Sequence, residues 1–193
     1  MNALMSEDFV PRHRFTVQQY YRMAEVGLLA PDARVELIEG EVIDTAPQGI
    51  HHAEILRRLG RLLFLAAGDR ATVQTQCPLR LDDFSEPEPD FALLKRRKEG
   101  YLTSHPGAAD TLLVIEVSHS SLRFDRSRKL QLYARHEIPE YWIVDVTAPR
   151  LHVFHSPDKG QYTHSDSAER PAAVALRAMP ELRVDLTGLF DGL

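Results

Sequence analysis

The sequence predicts an α/β protein: a mixed central β-sheet with helices on both faces. Three observations carry that expectation. The stretch from Thr111 to Val146 reads as strand, turn, helix and second strand. A leucine-rich run from His51 to Ala67 has one clean helical stripe. The remaining apolar runs are short and separated by Gly, Pro and Asp signals, as strands are.

Taken in order, residues 1–13 are polar and are expected to be loose. Thr16 and Gln19 form a capping box, and Val17, Tyr20, Tyr21 and Ala24 recur at helical spacing. This helix should end near Gly27. Arg34 to Thr45 reads as two strands around Glu39-Gly40. In the helix His51–Ala67 the stripe is Ile55, Leu56, Leu59, Leu62, Leu63 and Ala66. His52 lies on the stripe side, while Arg57, Arg58 and Arg61 fall mostly outside it. Gly68 closes the helix.

Ala71 to Gln76 and Leu79 to Leu81 read as strand pieces broken at Pro78. Glu86-Pro87-Glu88-Pro89 is a stiff turn that delivers the chain to a short strand, Asp90 to Leu94. Arg96 to Gly107 is a charged loop or short helix. Leu112 to Val117 is nearly continuous in apolar residues, the mark of a strand buried on both faces. Alternation puts Leu112, Val114, Glu116 and Ser118 on one face. A helix follows from about Arg126 to His136, with Asp125 as N-cap. The next strand, Glu140 to Val146, starts after Ile138-Pro139. Arg150 to His155 and Gln161 to His164 form a hairpin across Pro157-Asp158-Lys159-Gly160, and Leu186 to Phe190 suggests a short helix. There is no repeat or linker, so the 193 residues are read as one domain.

A hydrophobic fraction of 44% and a charged fraction of 26% describe an ordinary globular chain. The formal charge of -5 gives no bulk attraction to nucleic acid, so a nuclease would need a local basic face. Cys77 is the single cysteine, which excludes an internal disulfide and a cysteine-rich zinc site. No stretch has the length of a membrane span and no signal peptide is apparent, so a cytoplasmic protein is expected. The nine histidines show no HxxxH or HExxH spacing, and there is no GxSxG, P-loop or GxGxxG motif.

Four residues stand out chemically. Asp90 and Glu116 each sit in or at the mouth of an apolar strand. If those strands are neighbours, both carboxylates reach one point, and a hard cation would relieve their repulsion. Mg²⁺ suits such a pair because it takes oxygen ligands and keeps several waters. The competing reading is that Asp90 caps a turn after Pro89 and Glu116 pairs with an arginine. Lys129 shares a helix face with Tyr133 and His136 and could orient a metal-bound water or stabilise phosphate charge. It could equally be one more surface charge beside Arg126 and Arg128. Among Glu36, Glu39 and Glu41, Glu36 is flanked by Val35 and Leu37 and is the inward candidate; the others read as solvent-facing hairpin charges. His51 and His52 could contact a metal or a phosphate, or could be capping or half-core residues.

These residues, in this order, resemble the Uma2 family of restriction-endonuclease-like proteins. The likeness runs from about Arg14 to Phe154. It rests on Arg14-Phe15-Thr16-Val17 with Tyr20, Val35-Glu36-Leu37-Ile38-Glu39-Gly40-Glu41, His52 and Glu88-Pro89-Asp90. Ile115-Glu116-Val117-Ser118, Asp125 to Tyr133 with Lys129-Leu130, and Pro139-Glu140-Tyr141-Trp142-Ile143-Val144-Asp145 complete it. The resemblance implies the PD-(D/E)XK nuclease fold, with a mixed sheet flanked by helices and divalent-metal phosphodiester hydrolysis. It matches Asp90 and Glu116 to the metal-binding acids and Glu36 to a supplementary acid. The strand lysine of the motif is replaced by Ser118, and Lys129 on the following helix matches the displaced position.

The resulting expectation is a Mg²⁺ (or Mn²⁺)-dependent endonuclease acting on DNA, with Asp90, Glu116, Lys129 and Glu36 as its catalytic set. Phosphate binding is assigned to basic residues such as Arg57, Arg58 and Arg128. Edge pairing at the hairpins Arg34–Thr45 and Arg150–His164 suggests a homodimer. The alternative is a catalytically inactive module of the same fold that binds nucleic acid or protein.

Overall fold

A computed structural model describes residues 12–193, so most of the N-terminal stretch expected to be loose lies outside the described residues. The elements are α1 (Val17–Glu25), β1 (Val35–Ile38), β2 (Glu41–Asp44), α2 (Ile50–Ala67), β3 (Ala71–Thr75), β4 (Phe91–Lys95) and β5 (Thr111–Ser118). Then come α3 (Leu122–Phe124), a π-helical turn (Asp125–Lys129), α4 (Leu130–Arg135), β6 (Glu140–Asp145), β7 (Arg150–Asp158), β8 (Gln161–Glu169), β9 (Ala173–Ala175) and β10 (Arg183–Asp185).

The central sheet has six strands in the order β3-β4-β5-β6-β7-β8. Only β5 and β6 pair in parallel, because the helical run between them is their crossover; the other neighbours are antiparallel. Along β5, residues of opposite parity feed two cores. Leu113, Ile115 and Val117 pack with the Ile55, Leu59 and Leu63 face of α2 and with the C-terminal Leu182, Leu186 and Phe190. Val114 packs on the other side with Tyr133, Tyr141 and Ile143. Leu112 departs from the expected alternation and joins the α2 side. It lies where the β4–β5 register slips, with Leu93 opposite Leu113 but Leu94 opposite Thr111.

The capping box of α1 forms as expected, with Gln19 N–H donating to Thr16 Oγ1 and Thr16 N–H to Gln19 Oε1. Gly60 lets α2 approach the sheet, since a Cβ there would stand 3.3 Å from the Phe91 ring. The β1–β2 hairpin turns on Glu39 and Gly40, both with positive φ (54° and 80°). A Cβ on Gly40 would also strike Arg14 Cβ at 2.5 Å, so this glycine is required twice over.

Four expectations need correction. Leu79 to Leu81 forms no strand, and Arg80 makes only an isolated bridge to Gly107. Asp125 is not an N-cap: the helical run begins at Leu122 and Asp125 lies inside it, opening the π turn. The β7–β8 hairpin is longer than its apolar pattern, because β8 is a polar, solvent-facing strand that alternation cannot reveal. The tail forms no helix at Leu186–Phe190; its regular structure is the small β9–β10 pair. Among the described residues no helix is long and apolar enough to cross a membrane.

Candidate active site

The register of β4 against β5 places Phe91 opposite Ile115, which brings Asp90, one residue before β4, beside Glu116 and Val117. Asp90 Oδ2 accepts the Val117 backbone N–H at 2.9 Å and lies 3.2 Å from His52 Nε2. Asp90 Oδ1 accepts from Gln76 Nε2 at 3.2 Å. The carboxylates of Asp90 and Glu116 line one cleft of ≈ 990 Å³ together with Glu36, His52, Asp125 and Lys129.

Glu116 projects from the middle of a strand buried along its whole length. Its Oε1 accepts from Lys129 Nζ at 2.9 Å and from the Tyr133 hydroxyl at 2.9 Å. Among the described residues no hydrogen bond reaches its Oε2. Lys129 Nζ also lies 3.0 Å from Glu36 Oε1, so one ammonium bridges two carboxylates. Glu36 is held from its other side by the Glu88 N–H on Oε2 at 3.1 Å. Lys129 is therefore not a surface charge; it is buried, as is Glu36.

The helical run positions this set. In the π turn the Leu130 N–H reaches back to the Asp125 carbonyl, and Asp125 and Lys129 both turn inward. Asp125 Oδ2 accepts from Ser118 Oγ and Ser121 Oγ, each at 2.6 Å. Ser118, which stands where a strand lysine would be, thus anchors the helix that supplies Lys129.

Buried carboxylates outnumber cations here, with Glu36, Asp90, Glu116 and Asp125 around the single Lys129. Burial pushes the Glu116 carboxyl up to about 8, although Lys129 pulls it down. Burial likewise raises Asp125, opposed by Lys129 and the two serines. For Lys129, burial alone would lower the ammonium, but Glu116, Glu36 and Asp125 outweigh it and raise it. Burial, followed by the Glu116 charge, keeps the Tyr133 hydroxyl protonated as a donor.

The donor set fits a hard divalent cation. Two carboxylates face one cleft, and Glu116 retains an oxygen without a partner. Among the described residues no three His, Cys, Asp or Glu side chains are grouped to hold a metal by themselves, so such a cation would keep part of its water shell.

The basic residues expected to bind phosphate are engaged elsewhere. Arg128 donates to Glu39 Oε2 (3.0 Å), Glu41 Oε2 (2.6 Å) and the Ile38 carbonyl (3.0 Å). Glu39 also pairs with Arg135. These two glutamates clamp the β1–β2 hairpin onto the helical run, a role their alternating pattern did not signal. Arg58 bonds Glu54 and the C-terminal carbonyls of Leu189 and Asp191, and Arg57 bonds Glu54. His52, Gln76 and Tyr133 are site residues whose parts in it were not read from the sequence, since their contacts cross between elements. His52 was a metal or phosphate candidate in the sequence, but its contact with Asp90 was not legible there.

Fold and sheet order define the class: a restriction-endonuclease-like α/β protein. A family model described as "Putative restriction endonuclease" matches residues 17–187, and the chain belongs to that family, Uma2. Among solved structures, it is similar to one described as "a putative nuclease belonging to DUF820" from Anabaena variabilis ATCC 29413. The two share 18% identity with a TM-score of 0.69, over 91% of this chain and 97% of the other, a likeness of fold. No curated protein matches the chain.

Proposed function

We propose that this protein is a Mg²⁺ (or Mn²⁺)-dependent endonuclease that hydrolyses DNA phosphodiester bonds. The observation that carries the reading is the convergence of Asp90 and Glu116 on one cleft, with the buried Lys129 held between Glu116 and Glu36. Membership of a family described in nuclease terms supports the same chemistry. Asp90 and Glu116 would hold the cation, which when bound supplies Lewis acidity and charge compensation at a phosphate.

The protein's own groups do the rest. Lys129 stays protonated and presents an ammonium beside Glu116, where it orients the attacking water and offsets charge that develops on phosphate oxygens. Glu36 fixes the second side of that ammonium, so Lys129 needs no reorganisation as the reaction proceeds. Tyr133 donates to Glu116 Oε1 and leaves Oε2 for the cation. We place the protein in the cytoplasm, where a lone exposed thiol such as Cys77 stays reduced. We also propose a homodimer, supported by β8, a nine-residue exposed strand at the edge of the central sheet. The β1–β2 hairpin forms its own two-stranded sheet and is clamped by Arg128, so the longer β8 is the edge we favour.

Single-turnover cleavage of labelled DNA with Mn²⁺ tests the function. Wild type should cut, and Asp90→Asn and Glu116→Gln should not. Binding of DNA without cleavage, together with no cation uptake by calorimetry, would instead assign the chain to the inactive binding module.

A further inference from the structure

His52 stands in the first turn of α2, between exposed His51 and the helix's buried stripe. Its Nε2 is 3.2 Å from Asp90 Oδ2, the oxygen that also accepts the Val117 N–H. Its Nδ1 is buried and has no hydrogen-bond partner among the described residues. A carboxylate oxygen only accepts, so the His52–Asp90 contact requires the hydrogen on Nε2. Nδ1 lies on the far side of the ring from Asp90 and is shielded from solvent, so the ring meets the site through Nε2.

We propose that His52 is a positioning residue for Asp90. Nε2–H and the Val117 N–H together immobilise Asp90 Oδ2. Asp90 Oδ1, which among the described residues accepts only from Gln76, is then the oxygen presented to the ion. This rests on the cation-binding reading above. It adds a residue that holds the carboxylate from behind, in the way that partners behind metal ligands fix their orientation.

The test uses the intact chain and two readouts besides activity. In Mn²⁺ calorimetry, His52→Ala should weaken binding by about 10–100-fold, the usual effect of losing a partner behind a metal ligand. His52→Gln, whose amide nitrogen reaches the position of Nε2, should recover most of that loss. His52→Asn, which reaches only as far as Nδ1, should not. Should His52→Ala fail to fold, the Gln and Asn pair makes the same comparison. In long-range ¹H–¹⁵N spectra of the cation-free protein, His52 should be the Nε2–H tautomer, and added Mg²⁺ should shift its Nε2 resonance through Asp90. An Nδ1–H tautomer, wild-type Mn²⁺ affinity in His52→Ala, or equal losses in the Gln and Asn variants would overturn the proposal. If wild type binds no Mn²⁺, both readings fall; if wild type binds and His52→Ala binds equally well, only this one does.

Discussion

Lys129 closes an ion pair with Glu116 at 2.9 Å from a different element, and both side chains are almost wholly shielded from solvent. The pair is joined by Glu36 at 3.0 Å, so the lysine is shared rather than paired one to one. A buried charge that loses its only partner is far more costly than a surface pair, and this sets the scale of the first prediction.

Lys129→Ala is expected to slow single-turnover DNA cleavage about a hundredfold or more, the effect of losing one transition-state charge contact. It should also destabilise the cation-free protein by about 3–5 kcal/mol, because Glu36 is left as a buried charge without its cation and Glu116 loses a hydrogen-bond donor. Mn²⁺ should return part of that stability in thermal melts. Lys129→Arg should not fully restore the rate, since the planar guanidinium is larger and differently aimed than the ammonium.

The pH dependence of the cation-free fold follows from Glu116. Burial raises its carboxyl from the ordinary 4.5 to about 8, so the folded state holds this proton more tightly than the unfolded chain. The resulting stability is complete below the unfolded value and is lost as pH rises through about 8. Melting temperatures in EDTA should therefore fall across that window, and Glu116→Gln should flatten the slope. The amide keeps an oxygen for Lys129 and Tyr133, so the variant should fold while binding Mn²⁺ poorly. A wild-type slope in Glu116→Gln would assign the titration to another group.

Arg128→Ala should release the β1–β2 hairpin. The arginine makes three hydrogen bonds to that hairpin, two of them to carboxylates. The expected cost is about 1.5–3 kcal/mol, the range for a hydrogen bond to a charged group. Hydrogen exchange should show protection lost in Val35–Asp44 and retained in the central sheet. An unchanged exchange pattern would mean that backbone contacts alone dock the hairpin.

The β8 edge gives a specific register for the proposed dimer. A two-fold axis at Ser165, the midpoint of Gln161–Glu169, would pair the full strand antiparallel and set His164 against Asp166 of the partner subunit. Ser165→Cys, made with Cys77→Ser to remove the exposed native thiol, should give a disulfide-linked dimer on mild oxidation. A monomer by sedimentation at micromolar concentration, with no cross-link, would exclude this edge.

The sheet and the charged set were largely legible in the sequence. A lone carboxylate inside the apolar run Leu112–Val117 had to be paired, protonated or on a metal. Asp90 after its stiff proline turn, Lys129 on the next helix and Glu36 between Val35 and Leu37 were the candidates to share its site, and all four line one cleft. The parts read wrongly or not at all depend on contacts between elements. Arg128 carries the same local signature whether it faces a phosphate or Glu39 and Glu41. Gln76 and Tyr133 look like ordinary strand and helix residues until packing turns them toward Asp90 and Glu116. β9 and β10, with three residues each, are too short for any period to appear.

The π turn at Asp125–Lys129 also has a bearing on how this helix tolerates change in length. A π turn accommodates one residue more than an α-helical turn, so the run from Leu122 to Arg135 carries a surplus position. Deleting one residue between Asp125 and Lys129 could be absorbed by relaxing the turn to α geometry, with the helix still continuous. The flanks on either side would then keep close to their present phase, because the residue removed is the one the π turn carries in surplus. The regular α geometry after Leu130 has no such reserve, so deleting one residue between Lys129 and Tyr133 would turn the two apart by about 100° and 1.5 Å. Lys129 and Tyr133 both meet Glu116 Oε1, so only one of them would then keep that contact.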